Sequence, residues 1–283
     1  MKAIFCCGTG EIRNFALINN LKSIVMATVI YPAPIFGPVH SRRLGVSLGI
    51  NLMPADGKVC TFDCMYCECG FNAERRPTMR RPTREEVKNA LRGRLAAMKA
   101  DGPEPDVLTF AGNGEPTAHP DFSGIIDDTV ALRDEYFPKA RISVLSNATL
   151  IGRPEVRNAL MKVDNNIQKL DTVNPAYIKQ LNRPTGAYDV RRTIENMKLF
   201  NGHVIVQTMF LHGTDGEESL TNTGNEYVGP WLEALKEINP GEVMIYTIDR
   251  ETPDQKLRKA TREELDGIVK RINDAGFPAT ASY

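Results

Sequence analysis

Residues 58–70 read KVCTFDCMYCECG and hold four of the six cysteines in this chain of 283 residues. Three residues separate Cys60 from Cys64, two separate Cys64 from Cys67, and Cys69 is the last cysteine of the sequence. Thiolates are soft ligands that favour iron–sulfur clusters. Three thiolates on one short loop can bind three irons of a 4Fe-4S cluster and leave the fourth iron open. Because an open position on a metal admits a small molecule, the spacing predicts a catalytic metal centre.

Other uses of these cysteines stay open at this point. Cys69 can supply a fourth ligand and close the cluster for electron transfer, but a Cys-x-Cys pair on a loop already used three times is geometrically awkward, so we favour a passive role. A structural zinc site prefers widely separated Cys-x-x-Cys pairs or a histidine at finger-like spacing, and neither follows here. Disulfides are the remaining alternative, and they fit a cytosolic chain less well.

Composition describes a globular protein without a strong electrostatic preference. The chain carries 35 basic and 35 acidic residues, and 42% of its residues are hydrophobic. Zero net charge provides no general attraction to nucleic acid or to a membrane surface. No apolar run approaches the roughly 20 residues that cross a bilayer. Since the N-terminal stretch also lacks the apolar core and cleavage site of an export signal, we expect a cytoplasmic protein with no membrane partner.

Beyond the cysteines, strands and helices alternate along the chain. Thr83 with Glu86, and Thr261 with Glu264, form capping boxes that open two helices. The apolar pattern predicts strands at 46–52, 107–111, 142–145, 167–170, 204–211 and 243–248. Further helices are predicted at 122–136, at 154–161, after Asn174–Pro175 and at 189–200. Six strand–helix units in series predict a parallel sheet curved into a partial (β/α)6 TIM-like barrel.

Polar motifs follow each of the later strands at the point where the strand ends. In barrels of parallel strands, functional groups collect at these carboxyl ends. Glycines in such a position allow a ligand or another backbone to approach closely. The sequence therefore predicts one functional edge of the sheet, formed by residues 112–116 (GNGEP), Ser146 with Asn147, Lys169 with Asp171, Gln207 with His212, and residues 246–250.

The cysteine spacing, with Tyr66 directly before the third cysteine of the motif, resembles the signature of radical S-adenosylmethionine (SAM) enzymes. The similarity extends from about residue 36 to the C terminus. Residues 37–45 (GPVHSRRLG) and 245–250 (IYTIDR) resemble segments of wyosine-base synthases, which are the relatives that this chain is most similar to. We therefore identify the chain, by resemblance, as a member of the radical SAM enzymes.

The resemblance implies a cofactor pair and a reaction. Cys60, Cys64 and Cys67 would bind a 4Fe-4S cluster, and the amino and carboxylate groups of SAM would chelate the open iron. In that family an electron from the reduced cluster splits SAM into methionine and a 5'-deoxyadenosyl radical. The radical then takes a hydrogen atom from the substrate. A flavodoxin- or ferredoxin-type reductant is the implied electron donor.

The resemblance also implies which residues bind SAM. Residues Gly112, Asn113, Gly114, Glu115 and Pro116 resemble the Gly-Gly-Glu segment that meets the methionyl ammonium of SAM, and Tyr66 belongs to the same cofactor site. Ser146 and Asn147 offer a hydroxyl and an amide suited to the ribose or the carboxylate. The backbone of the strand at Tyr246 holds adenine in the family.

Two residues are expected to take part in catalysis. Lys169 is positioned to pair with the carboxylate of SAM or with substrate, although a rim ion pair worth under ~1 kcal/mol is the alternative. Arg250 is expected to face substrate. His212 either joins the site or caps a loop.

Domain boundaries and substrate rest on the same resemblance. Residues 1–35 are expected to be an N-terminal extension, either a leader or a mis-assigned start before Met26, and residues 36–283 the radical SAM core domain. Cys6 and Cys7 do not reproduce the second cysteine set of wyosine-base synthases, so no second cluster is expected there.

The resemblance favours a nucleoside in tRNA as substrate, with a small metabolite or a peptide as alternatives. A run of five arginines between residues 75 and 84 either contacts phosphates or is a solvated loop without aromatic residues for stacking. An answer of a different class is a non-catalytic iron–sulfur carrier with Cys69 as fourth ligand. Against it, a carrier has no use for the GNGEP segment.

Overall fold

The computed structural model describes residues 28–41 and 44–283. Its principal strands are β1 (Ile35–Ser41), β2 (Gly45–Ile50), β3 (Val107–Phe110), β4 (Arg141–Ser146), β5 (Asn165–Lys169), β6 (Ile205–Met209), β10 (Glu242–Tyr246) and β12 (Ala279–Ser282). Short two-residue strands are β7 (Leu211–His212), β8 (Thr214–Asp215), β9 (Glu218–Ser219) and β11 (Arg258–Lys259). The α-helices are α1 (Arg84–Asp101), α2 (Phe122–Tyr136), α3 (Pro154–Leu160), α4 (Pro175–Leu181), α5 (Val190–Lys198), α6 (Asn225–Ile238) and α7 (Arg262–Asp274).

The principal strands form a single sheet with the order β1-β2-β3-β4-β5-β6-β10-β12. Every neighbouring pair from β2 to β12 is parallel, and β1 pairs antiparallel with β2 at the edge. Six helical connections follow β2, β3, β4, β5, β6 and β10 in turn. The predicted partial barrel of six strand–helix units is thereby confirmed, with β12 added as a further parallel strand.

The two faces of this sheet differ in chemistry. Side chains alternate between the faces of a strand, so register partners on parallel strands share a face. The outer face is apolar and packs against the helices in the main hydrophobic core, which includes Leu48, Phe110 and Val144. The inner face carries polar side chains, for example Ser47 hydrogen-bonded to Thr109 at 2.8 Å. A polar inner face is available for binding, whereas the outer face is committed to packing.

Local signals account for most element boundaries. Both predicted capping boxes are present, at Thr83 before α1 and at Thr261 before α7. Three elements have weak sequence patterns and were not predicted. Strand β1 contains a glycine and a proline, α6 carries an internal Pro230, and β12 is only four residues long. The β12 strand pairs with β10, so tertiary pairing and not its own hydrophobicity defines it.

The N-terminal part of the described chain packs on the rest of the fold. The backbone N–H of Val29 donates to the carbonyl of Glu68 at 2.8 Å, and that of Asn51 donates to Pro34 at 2.8 Å. The division at residues 35 and 36 stays a prediction, and the start at Met26 and the pair Cys6–Cys7 lie outside the described residues. Within those residues, no helix has the length and apolar character to span a membrane.

Candidate active site at the carboxyl edge of the sheet

Residues 58–70, named here the cysteine loop, lie between β2 and α1 and are fixed against the glycine segment after β3. Val59 pairs with Gly114 in a parallel bridge, in which the N–H of Val59 donates to Asn113 at 2.9 Å. Gly114 has a φ of 137°, and a Cβ placed there would overlap the carbonyl oxygen of Val59. Only glycine allows this approach. The residue next to Cys60 is therefore positioned by Gly114.

The opposite side of the cysteine loop is fixed by the end of α4. The N–H of Met65 donates to the carbonyl of Leu181 at 2.9 Å, and that of Asp63 donates to Asn182 at 2.9 Å. Thr185 in turn donates its N–H to Thr61 at 3.0 Å. These backbone hydrogen bonds anchor the loop to the segment at the end of α4.

The three predicted cluster ligands are all free cysteines on this loop. Cys64 is buried, whereas Cys60 and Cys67 are partly exposed. Two amide groups approach the sulfurs, with Asn147 Nδ2 at 3.5 Å from Cys60 Sγ and Asn182 Nδ2 at 3.6 Å from Cys64 Sγ. Burial raises the pKa of Cys60 and raises that of Cys64 to about 11. Amide donors and a metal would both favour the thiolates over the buried thiols.

Cys69 has a different environment from the other three cysteines. Its side chain is buried, and its Sγ donates to the carbonyl of Gly112 at 3.4 Å. The two neighbouring thiols also affect each other: the interaction lowers the pKa of Cys67 and raises that of Cys69. The thiol thus packs against the glycine segment. In the described part of the chain, no three His, Cys, Asp or Glu side chains are arranged to bind one metal ion.

The polar side chains of the GNGEP segment mostly bind other parts of the protein. Asn113 is fully buried and donates from Nδ2 to the carbonyls of Tyr31 and Pro54, both at 2.8 Å. The carboxylate of Glu115 accepts from the N–H of Asn147 at 2.7 Å and from the hydroxyl of Thr117 at 2.6 Å. Burial raises the pKa of Glu115. Because these side chains are occupied, the backbone and the glycines of the segment are the parts that a ligand at the edge of the sheet could contact.

The segment after β4 joins this arrangement. Ser146 Oγ accepts from the N–H of Ala148 at 3.1 Å, and Asn147 Nδ2 also donates to Thr61 at 2.8 Å. Pro116 is buried at the start of a 3-10 helix, Pro116–Ala118. Glu115, Asn147 and the cysteine loop consequently form one continuous wall.

Lys169 lies at the centre of a buried polar network. Its Nζ donates to Tyr66 at 2.9 Å and to Tyr246 at 3.1 Å, and it lies 3.7 Å from Asp171 Oδ1. The hydroxyl of Tyr66 donates to Asp171, which also accepts from Asn182 Nδ2 at 2.7 Å. Burial lowers the pKa of Lys169, but Asp171, Tyr246 and Cys64 outweigh it and the net shift is upward. The structure thus brings together three predicted site residues from three separate segments.

Arg250 lies in a second, more exposed group at the rim. It donates to the hydroxyl of Tyr31 at 2.8 Å and forms an ion pair with Glu68. Tyr31 donates in turn to Glu68 at 3.0 Å. Mainly because of burial, the pKa of Tyr31 is raised to about 12. Arg250 therefore contacts the cysteine loop and the N-terminal segment, and it has no contact with Lys169 among the hydrogen bonds of the described residues.

Other charged residues named from the sequence have partners outside the site. Arg80 pairs with Glu86 and Arg84 with Asp128, each at 2.6 Å. His212 Nε2 lies 2.8 Å from Glu264. These carboxylates compete with phosphate for the two arginines, so the structure favours the solvated-loop interpretation at those positions.

Two residues near the cysteines, Asn182 and Lys58, were not among the predicted site residues. Asn182 follows helix α4 and reaches both Cys64 and Asp171, and no local sequence pattern marks it. Lys58, the first residue of the loop, has a buried side chain, and burial lowers its pKa but Cys67, Cys60 and Cys64 raise it more. Gln207 was noted as a strand-end residue and is the register partner of Lys169 on the inner face. Within the described chain its buried Nε2 has no hydrogen-bond partner.

Sequence comparison places this fold and site in a family. The sequence profile of the Radical SAM superfamily matches residues 56–226, which include the cysteine loop and the strand ends up to the start of α6. The match covers more than half of the chain. The chain therefore belongs to the Radical SAM superfamily. It is an enzyme of the radical SAM class, which uses a 4Fe-4S cluster and SAM.

Individual relatives agree with this assignment. A UPF0026 protein of Methanocaldococcus jannaschii is 31% identical over 245 residues, which cover 84% of this chain and 71% of the relative. A UPF0026 protein of Synechocystis is 31% identical over 256 residues, or 88% of this chain and 83% of the relative.

Solved structures share the fold at low identity. A radical SAM methyltransferase from Sphaerobacter thermophilus superposes with a TM-score of 0.61 at 15% identity, covering 84% of this chain and 66% of the other. SuiB of Streptococcus suis bound to SAM gives 0.60 at 15% identity, covering 83% and 50%. At these identities the likeness establishes the fold alone.

Proposed function

We propose that Cys60, Cys64 and Cys67 bind the 4Fe-4S cluster, with SAM on its open iron and Cys69 outside the ligand set. The observation that carries this proposal is the cysteine loop itself, whose three thiols share a backbone braced by Gly114 on one side and by α4 on the other. The donor set fits the group, because thiolates are its natural ligands and two amides donate to the sulfurs. Once bound, cluster and SAM supply the 5'-deoxyadenosyl radical that removes a hydrogen atom from substrate.

The wall beside the loop is proposed to bind SAM. Gly112 and Gly114 both have a positive φ and present backbone without a side chain, which suits close contact with the methionyl group. Pro116, Asn113 and Glu115 hold that segment in place through their buried contacts. Ser146 and Asn147 lie next to it at the end of β4.

Tyr66 and Tyr246 are proposed to border the same cofactor site from the other side. Both hydroxyls bind Lys169, so the two rings are fixed relative to each other. Asp171 and Asn182, which bind the hydroxyl of Tyr66, are buried, so water is excluded from that side of the region. Exclusion of water protects a reactive intermediate, which is a principal task of the protein in cofactor chemistry.

The substrate is proposed to lie over the inner face of the barrel. Lys169 supplies a cation there, and Gln207 Nε2 supplies a buried donor without a partner among the described residues. Both groups suit oxygen acceptors, so a polar substrate with carbonyl or hydroxyl oxygens fits better than an apolar one. A nucleoside in tRNA is the leading candidate, and Arg250 at the rim is proposed to contact it. A flavodoxin- or ferredoxin-type protein is the proposed electron donor.

Anaerobic reconstitution tests the cluster and SAM assignments. The protein is loaded with iron and sulfide, reduced with dithionite and given SAM, and 5'-deoxyadenosine is measured by chromatography. We expect 5'-deoxyadenosine from the wild type and from Cys69→Ala, and neither cluster nor product from Cys64→Ala. An active Cys64→Ala variant refutes the ligand assignment. Loss of the cluster in Cys69→Ala supports the closed carrier site.

Isotope transfer tests the substrate. Deuterium-labelled tRNA from cells lacking this protein is the first probe, with peptide and nucleoside pools as comparisons. Deuterium in 5'-deoxyadenosine only when tRNA is present supports a tRNA nucleoside. If 5'-deoxyadenosine gains deuterium from another pool and none from tRNA, tRNA is rejected as the substrate and the radical SAM assignment is unaffected.

A further inference from the structure

Lys58 is a buried lysine whose position the reaction described so far does not use. Its side chain is 1% exposed, and it enters the fold two residues before Cys60. Nζ donates to the carbonyl of Gly70 at 2.7 Å and to Asp63 Oδ1 at 3.2 Å. The side chain therefore links the first residue of the cysteine loop to its last, and Cys60, Cys64 and Cys67 all lie between these two residues in the sequence.

The charge of Lys58 is only partly balanced by its protein partners. Asp63 is 23% exposed and its Oδ1 also accepts from the N–H of Asn72 at 2.7 Å. The carbonyl of Gly70 carries no formal charge. A buried ammonium is costly unless an anion compensates it. The thiolates of Cys60, Cys64 and Cys67, with a cluster bound to them, would provide the additional negative charge that this arrangement lacks.

We propose that Lys58 is the internal counter-ion of the cluster, and that its charge stabilises the cluster's reduced state and raises its reduction potential. Reduction adds one electron, and so one negative charge, to the cluster from the external reductant. A nearby fixed positive charge favours that product, and screening by salt is weak for buried charges. Charge and surroundings are known to set the potentials of iron–sulfur centres. This inference rests on the proposed cluster at Cys60, Cys64 and Cys67.

The competing explanation is a purely structural one, in which Lys58 ties the two ends of the loop through Gly70. The two explanations predict different reduction potentials when the positive charge at position 58 is removed and when it is kept. Lys58→Met keeps a long chain and loses the charge, whereas Lys58→Arg keeps the charge. Lys162→Met is a matched control, because Lys162 is half-exposed and pairs with Asp127 away from the cysteines.

The test is a redox titration of the reconstituted proteins followed by electron paramagnetic resonance, with iron and acid-labile sulfide measured on each. We expect a more negative midpoint potential for Lys58→Met and near wild-type values for Lys58→Arg and Lys162→Met. An unchanged potential in a fully loaded Lys58→Met protein, or the same fall in Lys58→Arg, overturns the inference.

If Lys58→Met binds no cluster, the iron content of Lys58→Arg shows whether cluster binding requires the positive charge. Full iron content in Lys58→Arg supports a requirement for charge, and an empty Lys58→Arg protein overturns it. A wild-type protein that binds no cluster refutes the proposed ligand set instead, so the two failures are distinguishable.

Discussion

Two polar groups join the cysteine loop to the end of β10, and they differ in burial. The inner group runs from Tyr66 through Lys169 to Tyr246, and the side chains of Lys169 and Asp171 are 15% and 0% exposed. The outer group runs from Glu68 to Arg250, whose side chains are 41% and 56% exposed. From the sequence, Lys169 and Arg250 were both expected to take part in catalysis.

The difference in burial separates the two groups energetically. Removing one partner of a buried ion pair leaves an uncompensated charge and costs about 3–5 kcal/mol. Exposed pairs contribute about 0–1 kcal/mol, because water and salt screen them. The inner group can therefore hold reacting groups in place, whereas the outer group is free to exchange its partners for a substrate.

The largest effect is expected from Asp171→Asn. Asp171 accepts from Tyr66, from Asn182 and from the N–H of Met209, and its loss leaves the buried Lys169 without an anion. We expect the free energy of unfolding of the cluster-free protein to fall by about 3–5 kcal/mol, measured in urea. Asp127→Asn, at an exposed pair with Lys162, is the control and should change it by under ~1 kcal/mol. Equal effects at both sites contradict the comparison.

An intermediate effect on stability is expected from Lys169→Met, with a large effect on turnover. Asp171 keeps its three other donors in this variant, so the loss of stability should be about 1–3 kcal/mol. We expect full iron content together with loss of hydrogen transfer from substrate. Iron analysis and deuterium transfer to 5'-deoxyadenosine measure the two quantities separately. Wild-type deuterium transfer in Lys169→Met removes this lysine from the catalytic group.

The smallest effect on stability is expected from Arg250→Met. Its ion pair with Glu68 is exposed at the rim, so unfolding should change by under ~1 kcal/mol, and by less still at high salt. If Arg250 contacts substrate as proposed, KM should rise while the cluster content stays constant. Urea unfolding at two salt concentrations, with steady-state kinetics, tests both. A stability loss as large as that of Asp171→Asn places Arg250 in the structural group.

Whether a site residue could be predicted depends on how far apart in sequence the interacting residues lie. The cysteine motif and the helix caps at Thr83 and Thr261 depend on residues close together in sequence, and the caps were confirmed. Asn182 was missed because it lies 118 residues after Cys64 and approaches it only through the fold. Gly114 was predicted for contact with SAM, and the structure adds its packing against Val59.

The amino-acid sequence alone indicated an iron–sulfur centre and the alternating architecture, because ligand spacing and hydrophobic periodicity are local properties of the chain. SAM as the second cofactor was implied by the resemblance to radical SAM enzymes. Tertiary structure decided which of the strand-end residues meet. It placed Lys169 between Tyr66 and Tyr246, and it left Arg250 in the exposed group. It also buried the Lys58 side chain against Gly70 at the far end of the cysteine loop. Burial determines how strongly two charged groups interact. It depends on segments that are distant in sequence and adjacent only in the folded sheet.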